Sequence, residues 1–271
     1  ARAALRKGCA GTDGHSMGPE PRQRGGNNGP LQPLWTTVMP QHIGIVGCSA
    51  EGAALCYRTL CAEGAALLGR PHAHPEVTLH TPSLADYVDC LDRHDLQGVA
   101  DLMLASAHKL ARAGADFLIC PDNTIHQAMD RVLPHSPLPW LHIAEVVAAE
   151  AAARGHRRLA LTGTRWLVDS NVYPDALQAQ GLQWVRPTEA ERSEINRIIM
   201  DELVPGVIRP EGVAMFQQII ARMQREDGCD AVVLGCTEIP LILSDANSPL
   251  PTLDSTRLLA RAALRRAVQA D

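Results

Sequence analysis

The chain has 271 residues, of which 46% are hydrophobic and 3% aromatic, and it carries a formal net charge of −5. A chain of this length supports a sizeable core, and the weakly acidic balance with few aromatic rings argues against nucleic acid as a partner. No apolar run approaches the ~18 residues that a membrane-spanning helix needs, so no membrane partner is expected.

The chain contains eight cysteines, which show no close paired spacing. Several of them lie in or beside predicted strands, so we expect reduced thiols in a cytoplasmic protein rather than disulfides. The eleven histidines show no paired spacing with cysteines or carboxylates that would predict zinc, and no metal is expected.

The first 38 residues differ in composition from the rest of the chain. They hold clusters of Gly, Pro, Asn and Gln, as in 24–30, and no apolar periodicity. Such a composition cannot bury enough apolar surface to offset the entropy of ordering, and it lacks the apolar core of a signal peptide. We therefore expect residues 1–38 to form a disordered or non-native extension, with Met39 as a candidate for the natural start.

The first predicted strand, Ile43–Gly47, leads into a turn that begins and ends with glycine. The turn reads Gly-Cys-Ser-Ala-Glu-Gly over 47–52 and precedes a predicted helix. Backbone amides in such a strand-to-helix turn can bind an anion, which makes Ser49 a candidate substrate-binding residue and Cys48 a candidate functional thiol. The turn lacks the full dinucleotide fingerprint, so no NAD cofactor is predicted.

A second polar cluster is predicted at a later strand end. A strand over Glu76–Thr81 and a long amphipathic helix over Asp92–Ala113 come first, and a further apolar strand then ends in Cys-Pro-Asp-Asn-Thr-Ile-His at 120–126. We interpret Cys120 as a packing residue, because free cysteines commonly behave as small buried hydrophobes. Ligands bind beyond the carboxyl ends of strands in open α/β sheets, so the candidates here are Asp122, Asn123 and Thr124.

The second half of the chain alternates short apolar runs with helical patterns, which is typical of an α/β fold. The predicted strands are 139–143, 158–161, 182–185 and 250–253, and the predicted helices are 145–154, 188–203, 211–226 and 255–268. The strand over 158–161 ends in Thr-Gly-Thr-Arg, where Thr164 and Arg165 are candidates for binding a substrate carboxylate. Thr164 is equally compatible with a helix N-cap.

The stretch from Asp230 to Pro240 contains the main catalytic candidate. The apolar run Ala231–Leu234 predicts a buried parallel strand, and Cys236 and Thr237 follow it directly. A thiol there can act as a base or nucleophile once it is a thiolate, and the hydroxyl and amides of Thr237 can hold a carboxylate. The alternative interpretation is a buried structural cysteine before a helix cap. Because residues 116–126 repeat this design, we expect two related α/β halves that face one cleft.

These motifs resemble those of a known family, the aspartate/glutamate racemases. Residues 235–240, Gly-Cys-Thr-Glu-Ile-Pro, resemble the second catalytic motif of that family, and 123–126 resemble the end of its first motif, Cys-Asn-Thr-x-His. Supporting matches at 141–144, 161–165 and 191–196 follow in the family's order. The position of the first catalytic cysteine is occupied by Asp122.

The resemblance implies an α/β fold of two pseudo-symmetric lobes. Each lobe would hold a mainly parallel four-stranded sheet flanked by helices, with the active site in the cleft between the lobes. The first lobe would comprise residues 41–138 plus 249–271, and the second residues 139–248. Family members are commonly homodimers, and we expect one here.

The resemblance also implies a cofactor-independent racemase or epimerase. Its small-molecule substrate would be an amino acid similar to aspartate or glutamate. One base removes the α-proton and an acid on the opposite face returns one, and Asp122 and Cys236 would take these roles. The ordinary pKa of an aspartate, ~3.9, is low for a proton donor at pH 7, so burial would have to raise it. A negative Asp122 would also repel an acidic substrate.

Two alternatives stay open on the sequence. One is a one-thiol member of the same superfamily, such as an arylmalonate-type decarboxylase, in which the lone thiol protonates one face of an enediolate, or another isomerase. The other is a non-catalytic protein that binds a small molecule between two lobes. Exchange of the substrate α-proton separates the binding protein from the enzymes, and release of carbon dioxide separates the decarboxylase from the racemase.

Overall fold

The computed structural model describes residues 39–269, and the expectation for residues 1–38 lies outside them. The strands of this part are β1 (Ile43–Val46), β2 (Val77–His80), β3 (Phe117–Ile119), β4 (Trp140–Leu141), β5 (Arg158–Thr162), β6 (Gln183–Val185), β7 (Ala231–Leu234) and β8 (Thr252–Asp254). The helices are α1 (Ala50–Leu68), α2 (Leu84–Asp92), α3 (Leu96–Arg112), α4 (Met129–Val132), α5 (Ile143–Ala153), α6 (Arg165–Val168), α7 (Val172–Ala179), α8 (Glu189–Ile198), α9 (Pro210–Asp227) and α10 (Ser255–Val268).

The strands form two four-stranded sheets with the same topology. The first has the order β2-β1-β3-β4 and the second the order β6-β5-β7-β8. Every pairing in both sheets is parallel. The predicted fold class, two α/β lobes with parallel four-stranded sheets flanked by helices, is confirmed.

The sequence determines the central strands and the helix ends by familiar local rules. The apolar strands β1 and β7 are buried along their whole length, as expected for central strands covered on both faces. Ser49 caps α1 by accepting a hydrogen bond from the amide of Gly52, and Thr188 forms a capping box with Glu191 at the start of α8. Gly228 ends α9 in the left-handed conformation, at φ 69°.

The C-terminal helix α10 packs on α1 and on the first sheet. Leu259 and Leu264 of α10 are fully buried in one apolar cluster with Leu60 of α1 and Ile119 of β3. Complete burial of a leucine side chain contributes roughly 1.5–3 kcal/mol. These contacts hold the end of the chain against the first sheet.

The strands at the predicted lobe boundaries lie differently from the expectation. Strand β4 pairs with β3 in the first sheet, although residues 139–248 were assigned to the second lobe. Strand β8 pairs with β7 in the second sheet, although residues 249–271 were assigned to the first lobe. Strands of two or three residues are too short to carry a pattern that assigns them to a sheet, so the pairing with a neighbour decides their place.

The helix predicted over Asp92–Ala113 is α3, and α2, which ends at Asp92, was not predicted. The chain turns between them at His94, which adopts φ 55°, and Asp95 caps α3 through the amide of Gly98. The helix predicted over 188–203 is α8 followed by a π-helical turn at Ile199–Leu203. Helices α6 and α7 were not predicted.

Candidate active site

The loops that follow β1, β3, β5 and β7 meet between the two sheets, at the carboxyl ends of the strands. A cavity of about 70 Å³ lies where they meet. At roughly 10–15 Å³ for one water, it has room for roughly five to seven waters. The predicted residues that line it are Ser49, Asp122, Asn123, Thr124, Thr164, Cys236 and Thr237.

Arg165 does not line this cavity, and its predicted contact with a substrate carboxylate stays a prediction. Its guanidinium lies over the ring of Trp166 at 5.1 Å, and Nη2 is 3.5 Å from a carboxylate oxygen of Asp92. The side chain is 56% exposed. Thr164 is the N-cap of α6, so Arg165 is the first residue of a helix whose start directs this side chain outward. Thr164 caps α6 and also lines the cavity, so its contact with a substrate carboxylate stays a prediction.

The carboxylate of Asp122 is bound by the turn after β1. Its Oδ2 accepts a hydrogen bond from the amide of Cys48 at 3.0 Å, and its Oδ1 accepts one from the amide of Ser49 at 3.2 Å. The anion-binding turn predicted from the sequence thus holds a carboxylate of the protein itself. Burial, with the nearby carboxylate of Glu238, raises the pKa of Asp122 to about 7, and the amide hydrogen bonds oppose that rise.

The thiol of Cys236 lies beside a carboxylate. Its Sγ donates to Oε2 of Glu238 at 2.9 Å, and the hydroxyl of Thr237 donates to the same oxygen at 2.8 Å. Burial and the negative field of Glu238 raise the pKa of the Cys236 thiol well above its ordinary value. The resting thiol is therefore protonated, with a proton acceptor already in contact.

Sequence reasoning gave no role to Glu238, although it belongs to the motif that identified Cys236. The carboxylate is 4% exposed and lines the cavity. The signal was present, because an acidic residue two positions after a candidate catalytic thiol is a candidate base for it. Cys48 also lines the cavity, and burial raises the pKa of its thiol.

Two hydroxyl pairs join loops that belong to different sheets. The hydroxyls of Ser49 and Thr237 are 3.1 Å apart, and those of Thr124 and Thr164 are 2.9 Å apart. The first pair needs a close approach of α1, since a Cβ on Gly52 would lie 2.4 Å from Cγ2 of Thr237. These pairs put four hydroxyl groups at the edge of the cavity between the sheets.

Asn123 lines the cavity, but its amide group is used within the protein. The hydroxyl of Tyr173 donates to its Oδ1 at 2.7 Å, and its Nδ2 donates to the hydroxyl of Ser255 at 3.0 Å. Ser255 in turn donates to the carbonyl of Leu234 at the end of β7. Asn123 therefore links the loop after β3 to α7, α10 and the second sheet.

Two buried side chains fix the backbone at Asp122. Nδ1 of His126 donates to the Asp122 carbonyl at 3.0 Å, because Nε2 accepts from the amide of Ile143. Burial lowers the pKa of His126 to about 3, so the ring stays neutral. The thiol of Cys120 also contacts the Asp122 carbonyl, at 3.6 Å, and does not line the cavity. This agrees with its interpretation as a packing residue.

Within residues 39–269, no group of three or more metal-binding side chains comes together. In the same range, no helix combines the length and apolar character required to cross a membrane.

The fold and the cavity together define an α/β protein of the racemase type, with acid–base side chains between two parallel sheets. A model of the Asp/Glu/Hydantoin racemase family matches residues 44–263, and the chain belongs to that family. The resemblance found in the sequence is confirmed, as is the isomerase class, since the named relatives are amino-acid racemases.

Individual relatives agree with this assignment. The chain is 23% identical to a broad specificity amino-acid racemase from Bacillus subtilis over 69% of this chain and 80% of that one. It is 27% identical to a glutamate racemase from Koribacter versatilis over 62% of this chain and 58% of that one. The structure of an aspartate racemase homologue from Pyrococcus horikoshii superposes with a TM-score of 0.73 at 27% identity, covering 84% of this chain and 100% of that one.

Proposed function

We propose that the protein is a cofactor-independent racemase or epimerase of an amino acid, in which Asp122 and Cys236 move the α-proton. One observation carries this proposal: the two groups come from loops of different sheets and line one cavity. A carbon between two such groups can lose a proton on one face and gain one on the other, which racemisation without a cofactor requires.

The protonation states of the pair support both directions of the reaction. With a pKa of about 7, Asp122 exists as base and as acid near neutral pH, where a catalytic pKa is most effective. When the Asp122 carboxylate takes the α-proton, the Cys236 thiol gives its proton to the opposite face of the carbanion. This leaves protonated Asp122 and a thiolate, the form that performs the reverse reaction. Glu238 can accept the thiol proton when the thiolate has to form first.

The hydroxyl groups around the cavity suit the binding of the substrate carboxylate. The amides of the turn after β1 already bind Asp122, so the first partners of the substrate carboxylate are other groups. Ser49, Thr124, Thr164 and Thr237 offer neutral donors and acceptors from four strand ends, which fixes the orientation of a small polar ligand. Asn123 holds the loops in place and is a positioning residue.

The test is exchange of the α-proton in deuterated water, followed separately from each pure enantiomer by NMR and chiral separation. A two-base racemase incorporates solvent deuterium into the enantiomer that it forms, from either starting enantiomer. Absence of exchange with every amino acid of a broad panel would favour the non-catalytic binding protein.

A second candidate is a one-thiol enzyme of the same superfamily, such as a decarboxylase or another isomerase. It is favoured by the hydrogen bonds that both Asp122 oxygens accept, since a carboxylate held in this way can serve to orient a substrate. Such an enzyme would use Cys236 alone. Release of carbon dioxide from an arylmalonate, or exchange from a single enantiomer, would identify it.

A further inference from the structure

We propose that the cavity selects an amino acid with an uncharged, apolar side chain and discriminates against aspartate and glutamate. This inference rests on the proposed function and specifies its substrate class. It departs from the aspartate/glutamate-like substrate expected from the sequence, and it is carried by the charge and the shape of the cavity wall.

The first argument is the charge of the wall. Among residues 39–269, the ionisable groups that line the cavity are the thiols of Cys48 and Cys236 and the carboxyls of Asp122 and Glu238. No arginine, lysine or histidine of this range lines it. A zwitterionic amino acid brings no net charge, and its ammonium group is attracted to the two carboxyls. A second carboxylate on the substrate would face these two carboxyls without a cation to neutralise it.

The second argument is an apolar surface on one side of the cavity. Helix α2 contributes Leu84, Val88 and Leu91, which have the i, i+4, i+7 spacing of one helix face. The second lobe contributes Met200 and Val204, at the π-helical turn and just after it. An apolar side chain placed here is removed from water against apolar neighbours, whereas a carboxylate would be desolvated without a partner.

The third argument concerns Arg165, the cation beside this region. Trp166 lines the cavity and also a surface groove in which Arg165 and Asp92 lie. The guanidinium stacks on that ring and pairs with Asp92. The positive charge therefore lies outside the cavity in this structure, where it is paired with Asp92.

The inference is tested with pairs of substrates that match in size. We expect kcat/KM for α-proton exchange to be at least about 100-fold higher for methionine than for glutamate, and for leucine than for aspartate, because the site rejects a charge that it cannot pair. Glutamine and asparagine separate polarity from charge and should fall between the members of each pair. Equal or higher kcat/KM for the acidic member of both pairs would overturn the inference.

Two variants locate the cause of the preference. Val204→Arg adds a cation at the rim, where the native side chain is 37% exposed, and should raise the ratio of glutamate to methionine turnover at least about tenfold. Val204→Gln is its uncharged control and should raise that ratio less than Val204→Arg does, because it makes the wall polar without adding a cation. Arg165→Ala should also leave it unchanged. Loss of glutamate turnover in Arg165→Ala would mean that Arg165 reaches the substrate and would contradict the inference.

Failure of the proposed function is distinguishable from failure of this inference. If no amino acid exchanges its α-proton, the proposed racemase fails, and the substrate class is then decided by calorimetric binding of leucine, methionine, aspartate and glutamate to the parent protein. Tighter binding of the apolar pair supports the inference, and tighter or equal binding of the acidic pair overturns it.

Discussion

The Sγ of Cys236 donates a hydrogen bond of 2.9 Å to Oε2 of Glu238. The carboxylate has two opposite effects on this thiol. Its negative charge raises the pKa of Cys236, and its oxygen provides a direct acceptor for the thiol proton. Replacing Glu238 by a neutral isostere removes both effects, and the rate and the pKa of the thiol then report them separately.

We predict that Glu238→Gln lowers kcat by roughly 10²- to 10⁴-fold, the usual contribution of a general base. The same variant should lower the pKa of Cys236, because the nearby negative charge is gone. Alkylation of the Cys236 peptide, followed by mass spectrometry across a pH series, reports this pKa independently of turnover. A variant with the parent's kcat would show that the carboxylate serves only the structure of the loop.

The raised pKa of Asp122 predicts a pH dependence of the reaction. In the direction where Asp122 is the base, kcat should rise with pH through about 7, since only the ionised carboxylate accepts a proton. In the reverse direction the active form is protonated Asp122 with the Cys236 thiolate, which carries the same number of protons, so kcat/KM should rise over the same range. Initial rates from each enantiomer between pH 5.5 and pH 8.5, at about half-unit steps, test this. Profiles without a rise near pH 7 would argue against Asp122 as one of the two bases.

The same shift predicts how stability changes with pH. A carboxyl whose pKa is higher in the folded state than in the unfolded state binds more protons when folded, here between pH ~4 and pH about 7. The free energy of unfolding therefore falls as pH rises through that window. Asp122→Asn removes this contribution. The stability of the parent relative to that variant should therefore be greatest near pH 4 and decrease up to pH 7, as measured by urea unfolding at each pH.

Asn123→Ala should destabilise the fold as well as impair the site. The substitution leaves the hydroxyl of Tyr173 without its partner and removes one of the two bonds of the Ser255 hydroxyl, and a buried unpaired polar group costs about 1–3 kcal/mol. Tyr173→Phe is the matched control, because it removes only one of these bonds and should cost less. Urea unfolding of the two variants gives the comparison. Equal stability of Asn123→Ala and the parent would show that these bonds do not hold the loops together.

The strand ends that build the cavity could be predicted because each carries two signals at once. The run Ala231–Leu234 reads as a buried strand, and Cys236 stands where such strands place ligand-binding residues. The same rule located Ser49, Asp122 and Thr164. Position along a strand is a local property, and the sequence reports it directly.

Other parts of the site depend on relationships that are not local. The sequence pattern does not show that the amides of Cys48 and Ser49 bind Asp122, because these residues are 73 or more positions apart. The direction of the Arg165 side chain could not be predicted, because it depends on where α6 begins. The apolar face of α2 was missed because the helix was predicted to start at Asp92, where α2 ends.

The homodimer and the cytoplasmic location stay predictions. The mass of the chain is 29.2 kDa, and light scattering at micromolar concentration should give about twice that value if the dimer forms. A mass near that of a single chain across a tenfold dilution series would contradict the dimer.

The last prediction separates the roles of Cys236 and Asp122. Cys236→Ser keeps the size of the side chain but raises the pKa of the acid far above the ~8.5 of a thiol, so α-proton exchange should fall by several orders of magnitude. Cys61→Ser, a half-buried cysteine on α1 outside the cavity, is the control for loss of a thiol and should retain the parent rates.

Asp122 needs two substitutions, because removing its charge and replacing it by a thiol test different hypotheses. If Asp122 is the second base, Asp122→Asn should abolish racemisation while Cys236 still exchanges the α-proton of one enantiomer. Asp122→Cys should then restore exchange from both, since it supplies the pair of thiols that the family resemblance implies. If Asp122→Asn racemises at the parent rate, Asp122 only orients the substrate. If Asp122→Cys racemises an amino acid that the parent does not, the parent is a one-thiol enzyme. Deuterium incorporation from each enantiomer, measured separately in the parent and both variants, distinguishes these three outcomes.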